Sequence, residues 1–305
     1  MASITSSRGP IARWRAEHAS YIYDLRRGVR RFTRNRLSVV GLGMVLTLIV
    51  IAITAPLWIP YPDDVYGSVH MDARLNPPTP THLFGTDDAG RDVFSRTIMA
   101  TQISLEVGII ILVVAISIGV TLGAIAGYFG GWTDEVIMRL TDIMLTFPGI
   151  FLALAITAAL GRGITNAMLA LSITWWPGYC RLVEAQVLKM REEDFVLGAR
   201  AIGAGNARII VRHLLPNLLT AIIVKASMDF GFAVLGLASL GFIGVGVQPP
   251  QPDWGAMIST GRHFIPASWW YSTFPGLFMF FTVLGFNLLG DGLRDLLDPN
   301  AIVRQ

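Results

Sequence analysis

Lys225 and Asp229 stand four residues apart in a run, residues 218–246, that is otherwise free of charge. On a helix this spacing puts both on one face, where an ammonium and a carboxylate can pair. A lone charge at the centre of a bilayer costs about 2.5–3.5 kcal/mol on the insertion scale, so the position demands a partner or a wet cavity. Two chemistries fit: a structural ion pair, or a charged station on a translocation path for a polar solute. Lys225 lies nine residues past Pro216, roughly 13 Å along a helix, near enough to one interface for partial snorkelling. A second group, Asp87, Asp88 and Asp92, invites a calcium loop, but the EF-hand spacing and its closing Glu are absent. A turn capped by aspartates is the better reading.

Catalytic constellations are missing. A phosphate-cradling Walker loop needs Gly-Lys-Ser/Thr, whereas the two lysines, Lys189 and Lys225, follow Leu188 and Val224. No His-Glu-x-x-His occurs among the five histidines, and the stretch from Gly236 to Gly241 has the wrong spacing for a serine elbow. The single cysteine, Cys180, excludes an intrachain disulfide and a Cys-based zinc cluster. A non-catalytic chain holding no metal or cofactor of its own is expected.

The elements that must position these residues are membrane spans. Hydrophobic residues make up 53% of the 305 and charged ones 15%. Apolar runs of about 20 residues, each enough for a hydrocarbon core of roughly 30 Å, recur six times, near 38–59, 105–127, 136–160, 164–180, 218–246 and 271–290. The first, preceded by 37 arginine-rich residues, reads as an anchor and not as a signal peptide. With the N-terminus inside, the cytoplasmic segments hold nine, one, six and two Lys/Arg, against three, one and one outside. This asymmetry places both termini in the cytoplasm. The net charge of +3 therefore reports topology; no nucleic-acid partner is expected.

The chain divides into a basic arm (1–37), a first span (38–59), an extracytoplasmic loop (60–100), a five-helix core (101–291) and a cytoplasmic tail (292–305). In the arm, Ile22, Leu25, Val29 and Phe32 form one apolar stripe among arginines, a pattern suited to a helix lying on membrane lipid. Gly119, Gly123 and Gly127, four apart in the second span, read as a ridge for close helix packing. Residues 244–255, with Pro249, Pro250 and Pro252, cannot be regular helix, and Trp254, Trp269, Trp270 and Tyr271 suit an interfacial belt.

The cytoplasmic segment 184–217 is the most telling. Within it, small residues precede a glycine, Gly203, which permits a left-handed turn, and Leu215-Pro216 follows, with proline suited to begin a helix. This resembles the coupling loop of ABC importer permeases, written Glu-Ala-Ala, three residues, Gly, nine residues, Ile, one residue, Leu-Pro. Aligned on Gly203, the first triplet falls on Leu197, Gly198 and Ala199, and the Ile on His213. The absent glutamate is common in the dipeptide and oligopeptide branch. Residues 84–96, 244–255 and 286–299 are likewise similar to the C-type permease subunits of dipeptide, oligopeptide and nickel importers, so the resemblance spans roughly residues 30–300.

The resemblance implies an all-α membrane protein with six transmembrane helices and the type I ABC importer permease fold. It also implies half of a translocation path in a bacterial plasma membrane, with Leu197, Gly198, Ala199, Ala201, Gly203, His213, Leu215 and Pro216 on the coupling loop. Expected partners are a homologous B-type permease, two ATPases carrying ATP and magnesium, and an extracytoplasmic binding protein. Peptides are the expected cargo, with nickel, glutathione, opines or oligosaccharides as alternatives. A secondary transporter would show more midplane acids than Asp229 and Glu106.

Overall fold

The computed structural model describes residues 28–30 and 32–297. The expectations for residues 1–27, Arg31 and the tail from residue 298 lie outside the described residues. Among those described the chain is helical, with one isolated bridge, Thr86 to Asp92.

Helix α1 (Arg36–Trp58) opens on Asn35, whose side chain accepts from the Leu37 amide at 3.1 Å. Just before it, Phe32 is buried, and a Cβ added at Gly292 would meet its ring at 2.6 Å. Phe32 thus packs on protein where lipid was expected, while Val29 is exposed. Helix α2 (Val93–Phe129) has 37 residues, roughly 55 Å, and must project well beyond a 30 Å core. It packs most extensively on α5 (Ile164–Met190). The glycine ridge makes this possible. A Cβ at Gly119 would lie 2.5 Å from the Trp176 carbonyl, and one at Gly127 2.7 Å from that of Glu184. Between them Gly123 faces the Cys180 carbonyl and Val183.

The third expected span is two helices, α3 (Gly131–Thr146) and α4 (Gly149–Leu160), bent by 91°. Pro148 denies the backbone a donor and pushes Phe147 into extended geometry, ψ 135°. A hydropathy run reads straight through such a break. Among the described residues, four helices are long and apolar enough to cross a membrane, α1, α2, the continuous helix from Asn206 to Ile243, and α10 (Trp270–Leu297), or five if the bent pair counts as one span. Helix α5 is long enough at 27 residues. Trp175, Trp176, Pro177, Tyr179 and Arg181 dilute its apolarity, so the count stops short of the expected six.

At one end of the bundle the loop 60–92 is knitted to the chain's later half. Asp92 caps α2, accepting from the Ser95 amide at 2.8 Å, while its own amide donates to Asp64 at 2.7 Å. Asp87 accepts from the amides of Ala89 and Arg91 and pairs with the Arg91 side chain at 2.7 Å. Burial pushes its carboxyl up, against the pull of Arg91 and Arg96. Arg96 donates to the Asp64 carbonyl at 2.9 Å and the Pro250 carbonyl at 3.3 Å. Trp270 donates to the Thr86 carbonyl at 3.2 Å and Tyr271 to Asp88 at 3.0 Å. The aspartates are turn caps, and the expected aromatic belt is divided, with Trp254, Trp270 and Tyr271 buried and Trp269 exposed.

Helix α9 (Trp254–Gly261) begins at Asp253, whose carboxylate accepts from the Ala256 amide at 2.8 Å. Burial pushes this carboxyl up to about 7, although the Ala256 and Gly255 amides favour the ionised form. The folded chain therefore keeps a proton that the unfolded chain, near its ordinary 3.8, has lost. Stability should fall as pH rises from about 4 to 7, by about 4 kcal/mol, and level off above. Thermal unfolding of the purified protein across this window checks the slope. Asp253→Asn should flatten it.

The hairpin and the charged pair

At the opposite end, α5 gives way to a helical hairpin. Its first arm is α6 (Asp194–Ala201) and its second is α7 (Asn206–Ile209), which runs through a π-turn (Ile210–Leu214) into α8 (Leu215–Ile243). The corner is Gly203, at φ +82°. Its amide donates to the Arg200 carbonyl at 2.9 Å and the Ala204 amide to the Ala199 carbonyl at 3.0 Å. This is a Schellman closure, which needs a left-handed residue and favours glycine. A Cβ at Gly203 would meet nothing within 4 Å, so backbone geometry alone demands the glycine.

The π-turn follows from Pro216. Proline has no amide to donate to the carbonyl four residues back, and the chain widens so that the Leu215 amide reaches the Ile210 carbonyl. Pro216 thus sits in the first turn of α8, as expected, and the helical column continues back through the π-turn to Asn206. His213 and Leu215 are half-buried and Pro216 is exposed.

The expected loop residues divide between two sides. Val196 and Ala199, three apart, are buried with Ile209 and Leu214 against Val183 and Val187 of α5 and Ala124 and Tyr128 of α2. Ala199 thus belongs to the anchoring side. Leu197, Gly198, Ala201 and Gly203 are exposed. Two apolar side chains absent from the expected set join them: Phe195, 45% exposed, and Ile202, 86% exposed. Tyr128 fastens the hairpin to α2, donating to Asn206 at 2.9 Å beneath the Arg200 guanidinium, 5.1 Å from its ring. Arg191 donates to the Gly127 carbonyl at 3.1 Å. Tyr128 and Asn206 are 78 residues apart, and no local pattern links them. The i, i+3 spacing of Val196 and Ala199 is the local signal that sets the inward side.

Lys225 and Asp229 do pair, with Nζ 2.9 Å from Oδ2 and side chains 33% and 19% exposed. Gly178 leaves room for the lysine stem, and the Lys225 ammonium lies 5.0 Å over the ring of buried Tyr179, where an aromatic face favours a cation. The sequence signalled the pair but not this ring. From Ile210 to Lys225 the backbone is one helical column, about 22 Å long. A displacement of the hairpin therefore reaches the charged pair through a stiff element. Between helices, an ion pair joins Arg181 of α5 to Asp142 of α3.

Residues 119–303 match the family described as binding-protein-dependent transport system inner membrane component, and residues 25–78 match the N-terminal TM domain of oligopeptide transport permease C. The chain is 46% identical to a dipeptide transport system permease protein of Alkalihalophilus pseudofirmus, over 90% of this chain and 89% of the relative. A probable D,D-dipeptide transport system permease protein of Escherichia coli K12 is 43% identical, over 87% and 88% of the two chains. A glutathione transport system permease protein of Pectobacterium atrosepticum is 44% identical over 88% and 89%.

Proposed function

The chain belongs to the family of binding-protein-dependent transport system inner membrane components, and on that premise we propose that it is the C-type permease subunit of a small-peptide ABC importer in a bacterial plasma membrane. In this reading it pairs with a homologous B-type permease and receives cargo from an extracytoplasmic binding protein. Two cytoplasmic ATPase subunits, which bind ATP and magnesium, dock on the hairpin. The Lys/Arg asymmetry supports a cytoplasmic hairpin and an extracytoplasmic cap.

The observation that carries this reading is the two-sided hairpin. One side is packed on α2 and α5, the other presents Leu197, Gly198, Ala201 and Ile202, and its second arm runs unbroken into α8. A push on the open side moves packed helices as bodies, because close-packed interfaces shift between discrete arrangements. Access along a path past Lys225 and Asp229 would alternate as α8 moves. Peptide cargo rests on the relatives, whose names specify dipeptides and D,D-dipeptides. Glutathione is the second reading, favoured by the 44% identical relative. Nickel, opine and oligosaccharide cargo have no such support.

Crosslinking tests the coupling. In a Cys180→Ser background, Ile202→Cys should crosslink to an ATPase subunit of the assembled transporter, with a yield that changes on adding ATP. Ala199→Cys, facing inward, should not crosslink. A silent Ile202→Cys under every nucleotide condition, with normal assembly, would reduce the hairpin to a connector.

A further inference from the structure

At the cap end, α8, α9 and α10 enclose a groove of about 500 Å³ lined by Leu235, Ser239, Phe242, Ile258 and Met279, among others. Its size falls in the range of small-molecule sites, roughly 300–1,000 Å³. Its chemistry is narrow. The one hydroxyl in the wall, Ser239, donates to the Leu235 carbonyl of its own helix at 2.7 Å, leaving no free donor for a sugar or a peptide. On α8 the lining runs from Leu235 to Ile243, about 12 Å along the helix.

A cation stands against one of its lining residues. The Arg262 guanidinium lies 4.6 Å over the ring of Phe242, the same ring that lines the groove. Arg91 and Arg96, at the same end of the bundle, pair with Asp87 and Asp88. Arg262 is exposed and, among the described residues, pairs with no carboxylate. Trp269, half-exposed nearby in sequence, suits the headgroup level of a bilayer.

An apolar slot running along the helices with one unpaired cation at the interface matches an amphiphile with one anionic head. We propose that the groove binds an acyl chain of an anionic phospholipid from the leaflet at the cap end, with Arg262 holding its phosphate. The proposal does not rest on docking at the hairpin or on the identity of the cargo.

The transporter, assembled with its other subunits, is reconstituted in nanodiscs of phosphatidylglycerol and phosphatidylcholine, moved to detergent, and its retained lipid counted by native mass spectrometry. Phosphatidylglycerol should be enriched about fivefold, the effect of one basic side chain at an anionic surface. Arg262→Gln should abolish the preference, Arg262→Lys should keep it, and Ser239→Trp should expel the lipid. If Ser239→Trp fails to assemble, the two Arg262 variants decide alone, since an exposed side chain tolerates exchange. No enrichment in the wild type, or enrichment surviving Arg262→Gln, overturns the proposal. So does a crosslink from Ile243→Cys to the neighbouring permease, which would assign the groove to a protein contact.

Discussion

Ala201→Glu should stop uptake by the assembled transporter while leaving the chain inserted and near wild-type abundance. Ala201 is exposed on the open side of the hairpin, so the folded chain alone accommodates a carboxylate there. In a close contact with an ATPase the same group would be buried without a partner. Breaking charge balance in this way costs about 3–5 kcal/mol, roughly a hundredfold or more in occupancy of the docked state. The control is Ala199→Glu, two residues away but buried on the inner side of α6. That change should lower the amount of folded chain, because its charge meets Val183 and Val187 before any partner arrives. Gly203→Val adds a third pattern. With φ at +82° and open space around it, valine suffers only backbone strain, on the order of 1–3 kcal/mol. Radiolabelled peptide uptake and immunoblots of the membrane fraction separate these outcomes. Full uptake by Ala201→Glu would remove the hairpin from the coupling path.

Gly123→Leu has the opposite signature. Its Cβ would be driven into the Cys180 carbonyl and the Val183 side chain, and a backbone carbonyl has no rotamer with which to yield. Overpacking ordinarily costs about 1–3 kcal/mol and occasionally more. Here the two longest-packed helices must separate, so α2 and α5 lose contact along the ridge. The chain should fail to accumulate, and no uptake should be measurable. Gly198→Leu is the matched comparison, since a Cβ at Gly198 meets nothing within 4 Å. It should accumulate normally. Size-exclusion profiles of fluorescent fusions in detergent distinguish the two, and a monodisperse Gly123→Leu would refute the close approach of these helices.

The legible parts of this chain are those in which one local property decides. The glycine ridge was visible because four-residue spacing of Cβ-less residues has one packing use in a membrane. Gly203 was visible because a small helix followed by glycine forecasts a left-handed cap. Lys225 and Asp229 paired as their spacing required. The errors share a cause as well. Hydropathy sums over Phe147 and Pro148 without registering that proline bends the backbone, so one run became two helices. The family alignment set Ala199 beside Gly198 on one loop without separating their faces, and the register with Val196 turns Ala199 inward. Tyr128, Tyr179 and the lining of the groove come from chain segments far apart in sequence, and only the fold brings them together.

The cap carries a consequence for how the protein is made. Thr86 and Asp88 wait for Trp270 and Tyr271, which follow 184 and 183 residues later. At ribosomal speeds of about 5–20 residues per second, that interval is roughly ten to forty seconds. Until α10 emerges, the Thr86 carbonyl and Asp88 lack these donors, and the Arg96 contact with Pro250 forms little sooner. A nascent chain therefore displays an unfinished polar cluster at its cap end for most of its synthesis. Closing that cluster marks completion of the bundle, and chains cut short before α10 would carry the open cluster as a lasting mark for membrane proteases.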